Sequence, residues 1–170
     1  IGLEGQAQGI WPKEVITVWS DENLYPGRAV CLADTYAEDS SGRPKVNLAT
    51  ATGGTFYGIV EYVRDEELHG EIDSLSTINS TQEAYYPAGT PVPVMIKGEI
   101  FVYVEEAVSP TDTPHFRFEA KGGNTVLGRF RTDTDGTAPD ETADPISVGL
   151  KFSSQTAGPG LVRARINLPQ

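Results

Sequence analysis

Apolar and polar side chains alternate most regularly between residues 94 and 105. The even positions of this run are aliphatic apart from Gly98, whereas the odd positions hold charged residues together with Met95, Phe101 and Tyr103. Alternation with a period of two is typical of a β-strand that buries one face. Gly98 predicts a bulge or a bend in that strand. Phe101 and Tyr103 lie on the more polar face, so either another segment covers them or a partner binds them.

Shorter alternating runs, separated by turns rich in Gly, Pro, Asp and Ser, predict further strands. They are Val15–Trp19, Arg28–Ala33, Val46–Ala51, Thr55–Val63, Phe116–Phe118, Val126–Arg131, Ile146–Phe152 and Leu161–Leu168. In the seventh of these runs, alternation places Val148 on the same face as Ile146, Leu150 and Phe152. Eight or nine short strands favour an all-β fold, an antiparallel β-sandwich or barrel of the jelly-roll type.

The pattern is weaker near the N-terminus and in the middle of the chain. Residues 1–14 are rich in Gly and Gln and predict an extended arm anchored by Trp11, with one β domain over residues 15–170. The arm either frays or lies on a neighbouring subunit, and we expect such a neighbour to order it. Arg64–Leu75 is the one helical candidate, limited to one or two turns because Gly70 interrupts it.

The 170 residues fit one domain and carry a formal net charge of −11. The excess of acidic residues lies in residues 1–109, which contain 6 Lys and Arg against 17 Asp and Glu. Nucleic acids and anionic membranes are bound through Lys and Arg, so we expect neither as a partner. No run of ten apolar residues occurs, which predicts no transmembrane helix. Cys31 is the single cysteine, which excludes an internal disulfide.

Motifs that would indicate catalysis or a cofactor do not stand out. His69 and His115 are far apart, and the sequence contains no HxxxH, CxxC, GxSxG or phosphate-loop motif. The acidic run Thr132–Asp144 offers oxygen ligands of the kind that Ca²⁺ takes, but it lacks the spacing of an EF-hand. It is either a calcium site or, as we favour, a solvated acidic loop. We therefore predict no catalytic residues, no metal and no cofactor.

Four arginines form a candidate contact surface. Arg129 and Arg131 share one face of their predicted strand, and Arg163 and Arg165 share the outward face of theirs. If the two strands are neighbours, four guanidinium groups gather on one surface. Arginine is favoured at interfaces because its planar fork pairs with carboxylates and stacks on aromatic rings. The alternative is a set of solvated charges paired with nearby Asp and Glu.

Several short motifs occur in a fixed order along the chain. They are Gly53–Val60, Ala88–Val94, Gly98–Ala107, the turn Pro110–Asp112 and the closing run Gly160–Leu168. Together they resemble the structural cement proteins of tailed bacteriophages, which decorate the outside of the capsid. The resemblance covers roughly residues 25–168. Two departures are Thr111, where the family has Gly, and residues 65–81, which look like an insertion.

The resemblance implies a non-enzymatic cement protein on the outer surface of a phage capsid, which bridges neighbouring capsomers and stabilises the shell against internal DNA pressure. Its implied partners are the major capsid protein and copies of itself, as a homotrimer or, second, a homodimer. The candidate interface residues are Trp11, Phe101, Tyr103, Arg129, Arg131, Arg163 and Arg165. The alternative is a secreted or virion-borne β-sandwich that binds or hydrolyses carbohydrate in a groove lined by Trp11, Trp19, Tyr85 and Tyr86.

Overall fold

A computed structural model describes residues 4–7, 12–33, 42–48, 54–63 and 85–169. Ten strands lie within them: β1 Glu14–Val18, β2 Ala29–Leu32, β3 Val46–Leu48, β4 Phe56–Val60, β5 Val92–Val104, β6 His115–Arg117, β7 Phe130–Arg131, β8 Ala143–Pro145, β9 Leu150–Phe152 and β10 Gly160–Asn167. Each of the nine predicted runs overlaps one of these strands, with differences of one or a few residues at the ends. The additional strand, β8, has no alternation that would have revealed it.

The longest strand, β5, is the centre of the sheet. Both β1 and β4 pair with Met95, so they lie at opposite edges of β5, and β7 and β10 flank Val104 in the same way. The main path through the sheet is β3-β2-β4-β5-β7-β6-β8, and β1, β10 and β9 branch from it. All pairs are antiparallel except β5 with β7. The all-β prediction is confirmed, although the strands form one mixed sheet that does not close into a barrel.

Two hydrophobic clusters fill the core. The larger contains Met95, the even-numbered residues 100–104 of β5, and aromatic residues that include Phe116, Phe130 and Phe152. The smaller contains Val94 with residues from β1 to β4 and the buried Tyr86. Since the adjacent residues Val94 and Met95 belong to different clusters, residues 92–96 of β5 are covered on both faces.

The strict alternation expected along β5 is wrong at one point. Val15 of β1 pairs with Met95 but Glu14 pairs with Lys97, so Ile96 is an extra residue on β5, as in a bulge. Gly98, which follows, has φ of +139°. As a result the odd-numbered Met95 and the even-numbered Ile100 pack into the same cluster. The sequence predicted an irregularity at Gly98, and the structure shows that the even-numbered residues of β5 pack into the smaller cluster before it and into the larger cluster after it.

The N-terminal arm is held by its own chain where it is described. The N–H of Gly5 donates to the carbonyl of Phe101 at 2.7 Å, and the N–H of Tyr62 donates to the carbonyl of Gly5 at 2.9 Å. Glu4 forms an ion pair with Arg28, which is 2% exposed. The expectation that only a neighbouring subunit orders the arm is therefore wrong for residues 4–7. The described residues do not include Trp11, the helical candidate or the candidate insertion at residues 65–81. The division into arm and domain stays a prediction.

The expectation that Val148 shares a face with Ile146 and Leu150 is also wrong, because those two residues are buried whereas the Val148 side chain is 66% exposed. β9 begins only at Leu150, and Gly149 before it has φ of +87°. Because Gly149 adopts this left-handed conformation, the side chains do not alternate regularly here, and Val148 does not point the same way as Leu150. Among the described residues, no helix has the length and apolar character needed to cross a membrane.

Candidate functional site

The pairing of β5 with β10 builds an outer face with an unusual composition. In an antiparallel pair, residues directly opposite each other point to the same side of the sheet. Tyr103 lies opposite Leu161, Phe101 opposite Arg163 and Glu99 opposite Arg165. Further members are added by the pairs Lys97–Asn167 and Arg165–Lys151 and by Arg129, which lies over Tyr103. The β5–β10 face is defined here as Lys97, Glu99, Phe101, Tyr103, Arg129, Lys151, Leu161, Arg163 and Arg165.

The two aromatic residues predicted to need a cover are half-buried. The guanidinium carbon of Arg129 lies 4.1 Å from the centroid of the Tyr103 ring, within the range of a cation–π contact. Leu161, opposite Tyr103, is 39% exposed and is one of two large hydrophobic side chains that remain exposed in the described chain. Tyr103 is therefore covered on one side by an arginine of its own chain and borders an exposed apolar side chain on the other.

The second pair of arginines surrounds a buried carboxylate. Glu99 is only 4% exposed, lies opposite Arg165, and accepts a hydrogen bond from the hydroxyl of Ser153. The nearest guanidinium nitrogen of Arg163 is 4.0 Å from Glu99, and the Arg163 side chain is 44% exposed. An ion pair this long and this exposed contributes little to folding stability. The guanidinium group of Arg163 is thus available for contacts outside the chain.

Basic side chains outnumber acidic ones on this surface. Five of its nine members are Lys or Arg and one, Glu99, is a carboxylate, and Glu14 lies at its margin opposite Lys97. Lys97 and Lys151 were not among the predicted site residues. Their positions on alternating strands were visible in the sequence, but only the registers of β5, β9 and β10 bring them beside Arg163 and Arg165.

Arg131 does not belong to this surface, which corrects the prediction of four arginines on one face. It is 6% exposed and is held by Glu105, Glu106, Asp133 and Asp135. The reason is the loop after β7, which folds back over the end of the strand and carries two of these carboxylates. The side chain of Arg129, two residues earlier, lies over the ring of Tyr103 instead.

Arg131 shares its carboxylates with Arg117, which is completely buried. Glu105 accepts hydrogen bonds from Nε of Arg117 at 2.7 and 2.9 Å and from Nη2 at 2.7 Å. Asp135 accepts a further one from Nη2 at 2.6 Å. Nη1 donates to the carbonyl of Glu119 and to the hydroxyl of Thr142. We call Arg117, Arg131, Glu105, Glu106, Asp133 and Asp135 the buried arginine cluster. The ion pairs of this cluster hold the acidic loop against the sheet, beside the β5–β10 face.

The same contacts explain the acidic run that was a calcium candidate. Asp133 and Asp135 point at guanidinium groups, with Asp133 at 2.6 Å from Arg131. Across the described ranges, no group of three or more His, Cys, Asp or Glu side chains is arranged to hold a metal ion. Burial would raise the pKa of Asp135, but its hydrogen bond from Arg117 and the nearby positive charges outweigh burial and hold the pKa below 3.8. In this run, the carboxylates of Asp133 and Asp135 therefore form ion pairs with two buried arginines, Arg117 and Arg131, and neutralise their charge.

A carboxylate whose pKa is lowered by folding stabilises the fold at pH values above its pKa in the unfolded chain. This contribution is lost as the pH falls through its pKa in the folded protein. We expect the free energy of unfolding to fall more steeply below about pH 4 in the wild type than in the Asp135→Asn variant. Asparagine suits this site because Asp135 has φ of +49°, which Asn tolerates. Urea unfolding at several pH values measures the difference, and parallel pH profiles would contradict it.

The aromatic residues of the carbohydrate alternative do not line one groove in the described chain. Tyr86 is 2% exposed and its hydroxyl donates to the carbonyl of Glu61 at 2.9 Å. The ring of Trp19 lies under the ammonium group of Lys45, with 5.1 Å between nitrogen and ring centroid. Tyr85 rests against Tyr25. A shallow depression beside Val108 and Thr156 contains one charged residue, Asp112, whose carboxylate accepts the N–H of Ser109.

The fold resembles that of a chain in a solved phage capsid. A chain in the structure described as the capsid of Myoviridae phage XM1 superposes with a TM-score of 0.58 and 19% sequence identity, over 97% of this chain and 89% of that one. The likeness is one of fold: an all-β chain of a kind found in a tailed-phage capsid. No curated protein matched the sequence.

A family model identifies the chain more closely. The model described as "Structural cement protein (E217 gp24/Pam3 gp6)" matches residues 1–167, and the chain belongs to this family of phage structural cement proteins. Membership confirms the resemblance found in the short motifs and gives the chain a capsid-associated structural role in the virion. The family model extends through the arm and the candidate insertion, which the motifs alone did not cover.

Proposed function

We propose that the chain cements the shell from its outer surface by bridging neighbouring capsomers, and that the β5–β10 face makes the contact. The observation that carries this proposal is the concentration of Arg129, Arg163, Phe101 and Tyr103 on one rigid sheet surface. Aromatic residues and arginine are the types enriched where interfaces concentrate binding energy. A sheet whose opposite side is packed in the core holds these groups in place before binding, which lowers the entropic cost of association.

The mechanism is mechanical and needs no catalytic group. A capsomer boundary bridged by a bound β module cannot open until the buried contact is broken. One contact of ordinary size buries about 1,600 Å² in total. Repeated at every equivalent position of the shell, such contacts resist the pressure of packaged DNA even when each is weak. The family is one of structural proteins, which supports a role without enzymatic activity.

Self-association would strengthen this attachment. Linked copies bind at a high effective concentration, so a homotrimer, or alternatively a homodimer, holds the shell more tightly than single subunits. The charge of −11 on each copy opposes random aggregation and leaves association to specific surfaces. Light scattering on the purified protein counts the subunits, and a monomer at high concentration would contradict this part of the proposal.

Truncating Tyr103 tests the contact surface. We expect Tyr103→Ala to weaken binding to undecorated capsids by about 2 kcal/mol or more, the usual cost at the centre of an interface. The expected change in melting temperature is small, because the ring is half-buried and rests on Arg129. The measurement is the occupancy of capsids after mixing and sedimentation, together with a melting curve for each variant.

Tyr85→Ala is the matched control, because Tyr85 is also half-buried in an aromatic contact but lies outside the β5–β10 face. Its capsid occupancy should equal that of the wild type. If Tyr103→Ala instead melts at a much lower temperature while its capsid occupancy persists, Tyr103 serves the core. The contact surface would then lie elsewhere on the molecule.

A further inference from the structure

The positions of the basic side chains divide into two groups. Three arginines, Arg28, Arg117 and Arg131, are buried and bound to carboxylates of the same chain. Lys13 and Lys45 form ion pairs with Glu61 and Asp21. Most of the remaining Lys and Arg in the described residues belong to the β5–β10 face: Lys97, Arg129, Lys151, Arg163 and Arg165. Within the described residues, the β5–β10 face is thus a basic surface on a chain with a net charge of −11.

The carboxylates near this surface do not cancel its charge. Glu99 is 4% exposed, so its charge lies beneath the side chains around it, whereas Arg163 and Arg165 are exposed. Glu14 lies at the margin of the face, opposite Lys97. Solvent therefore meets mainly guanidinium and ammonium groups, placed around the apolar centre that Phe101, Tyr103 and Leu161 form.

We propose that this face binds an acidic, extended segment of the capsid partner, an inference that rests on the proposed function. Arg163 and Arg165 are two residues apart on β10, about 7 Å along the strand. Carboxylates at every second residue of an extended segment recur at the same spacing. Each can accept two parallel hydrogen bonds from one guanidinium group. Lys151, beside Arg165, supplies a further positive charge on the same line.

The charge distribution also selects the orientation of docking. An acidic partner is attracted to the β5–β10 face and repelled by the net negative charge of the chain as a whole. Such attraction acts over roughly 8 Å at physiological ionic strength. Only approaches with this face toward the partner are therefore favourable. The apolar centre then contributes the contact that holds the segment once it is aligned.

Neutralising the two exposed arginines tests the inference. The variant Arg163→Gln with Arg165→Gln should bind undecorated capsids on the order of tenfold more weakly, with a shallower dependence on salt between about 0.05 and 0.5 M NaCl. The matched control is Ala120→Glu with Thr125→Glu, which makes the same change of net charge at exposed positions outside the face. Its affinity and salt dependence should stay close to those of the wild type. Melting curves exclude unfolding as the cause.

A capsid-free measurement separates this inference from the proposed function. A poly-glutamate peptide should shift the amide resonances of β10 and β9 in the wild type and not in the arginine variant. If the wild type fails to bind capsids at all, the proposed function is wrong. If it binds them with no salt dependence and with equal affinity in the arginine variant, the partner is not acidic and the inference is overturned. It is likewise overturned if the variant loses only self-association, because a second copy would then be the acidic partner.

Discussion

Replacing Arg117 with Met lowers the free energy of unfolding by about 3–5 kcal/mol, the cost of removing one member of a buried ion pair. Arg117 has no exposed surface, and each of its three nitrogens has an acceptor. Methionine fills much of the same volume but leaves the carboxylate of Glu105, 3% exposed, with only Arg131 at 3.3 Å as a charged partner. Chemical denaturation measures the loss directly.

Two further variants test whether the charge left on Glu105 causes the loss of stability. Arg163→Met removes an arginine whose ion pair is long and exposed, so we expect a change within about 0.5 kcal/mol. Adding Glu105→Gln to Arg117→Met neutralises the carboxylate and should restore part of the lost stability. A cost for Arg117→Met below about 1 kcal/mol would mean that the buried arginine cluster contributes little to the fold.

The second large effect is expected at Gly58 of β4, which packs directly against β5. A Cβ at this position would lie 2.4 Å from a methyl carbon of Val94 and 2.7 Å from the backbone oxygen of Met95. The methyl group can rotate away, but the oxygen belongs to the sheet and cannot. Gly58 also has φ of +157°, which side chains rarely adopt. We expect Gly58→Ala to cost about 2–4 kcal/mol in the free energy of unfolding, from overpacking together with backbone strain.

Gly123→Ala is the matched control for that substitution. Gly123 lies in the turn between Lys121 and Asn124, where an added Cβ would meet no atom within 4 Å and the φ angle needs no glycine. Its stability should change by less than about 0.5 kcal/mol. Equal stabilities for the two alanine variants would show that β4 and β5 can separate without loss, contrary to the close approach seen here.

Much of the fold could be predicted because alternation is a local property. Successive residues of a strand point to opposite faces, so alternation alone located β5 and separated Ile100, Val102 and Val104, which lie in the core, from Phe101 and Tyr103 on the other face. The short motifs around these residues were sufficient to predict the family that the family model confirms. Arg163 and Arg165 were correctly placed on the outward face of β10 for the same reason.

The composition of the candidate site depended on contacts between distant segments. Arg129 and Arg131 look equivalent in the sequence, yet one covers Tyr103 and the other is buried by the loop that carries Asp133 and Asp135. No local pattern distinguishes them, because the difference arises where the loop folds back. The acidic run was recognised as a loop, but its role as the counter-charge to two arginines was not visible without the fold.

The sequence by itself determined the fold class, the central strand and the residues that point away from the core. Only the tertiary structure decided how those residues combine into a surface. The extra residue at Ile96 and the conformation of Gly98 reset the alternation of β5, and the registers with β10 and β9 then set Lys151 beside Arg165. Alternation follows from the geometry of one strand, whereas bulges and registers are selected by packing between strands far apart in the chain.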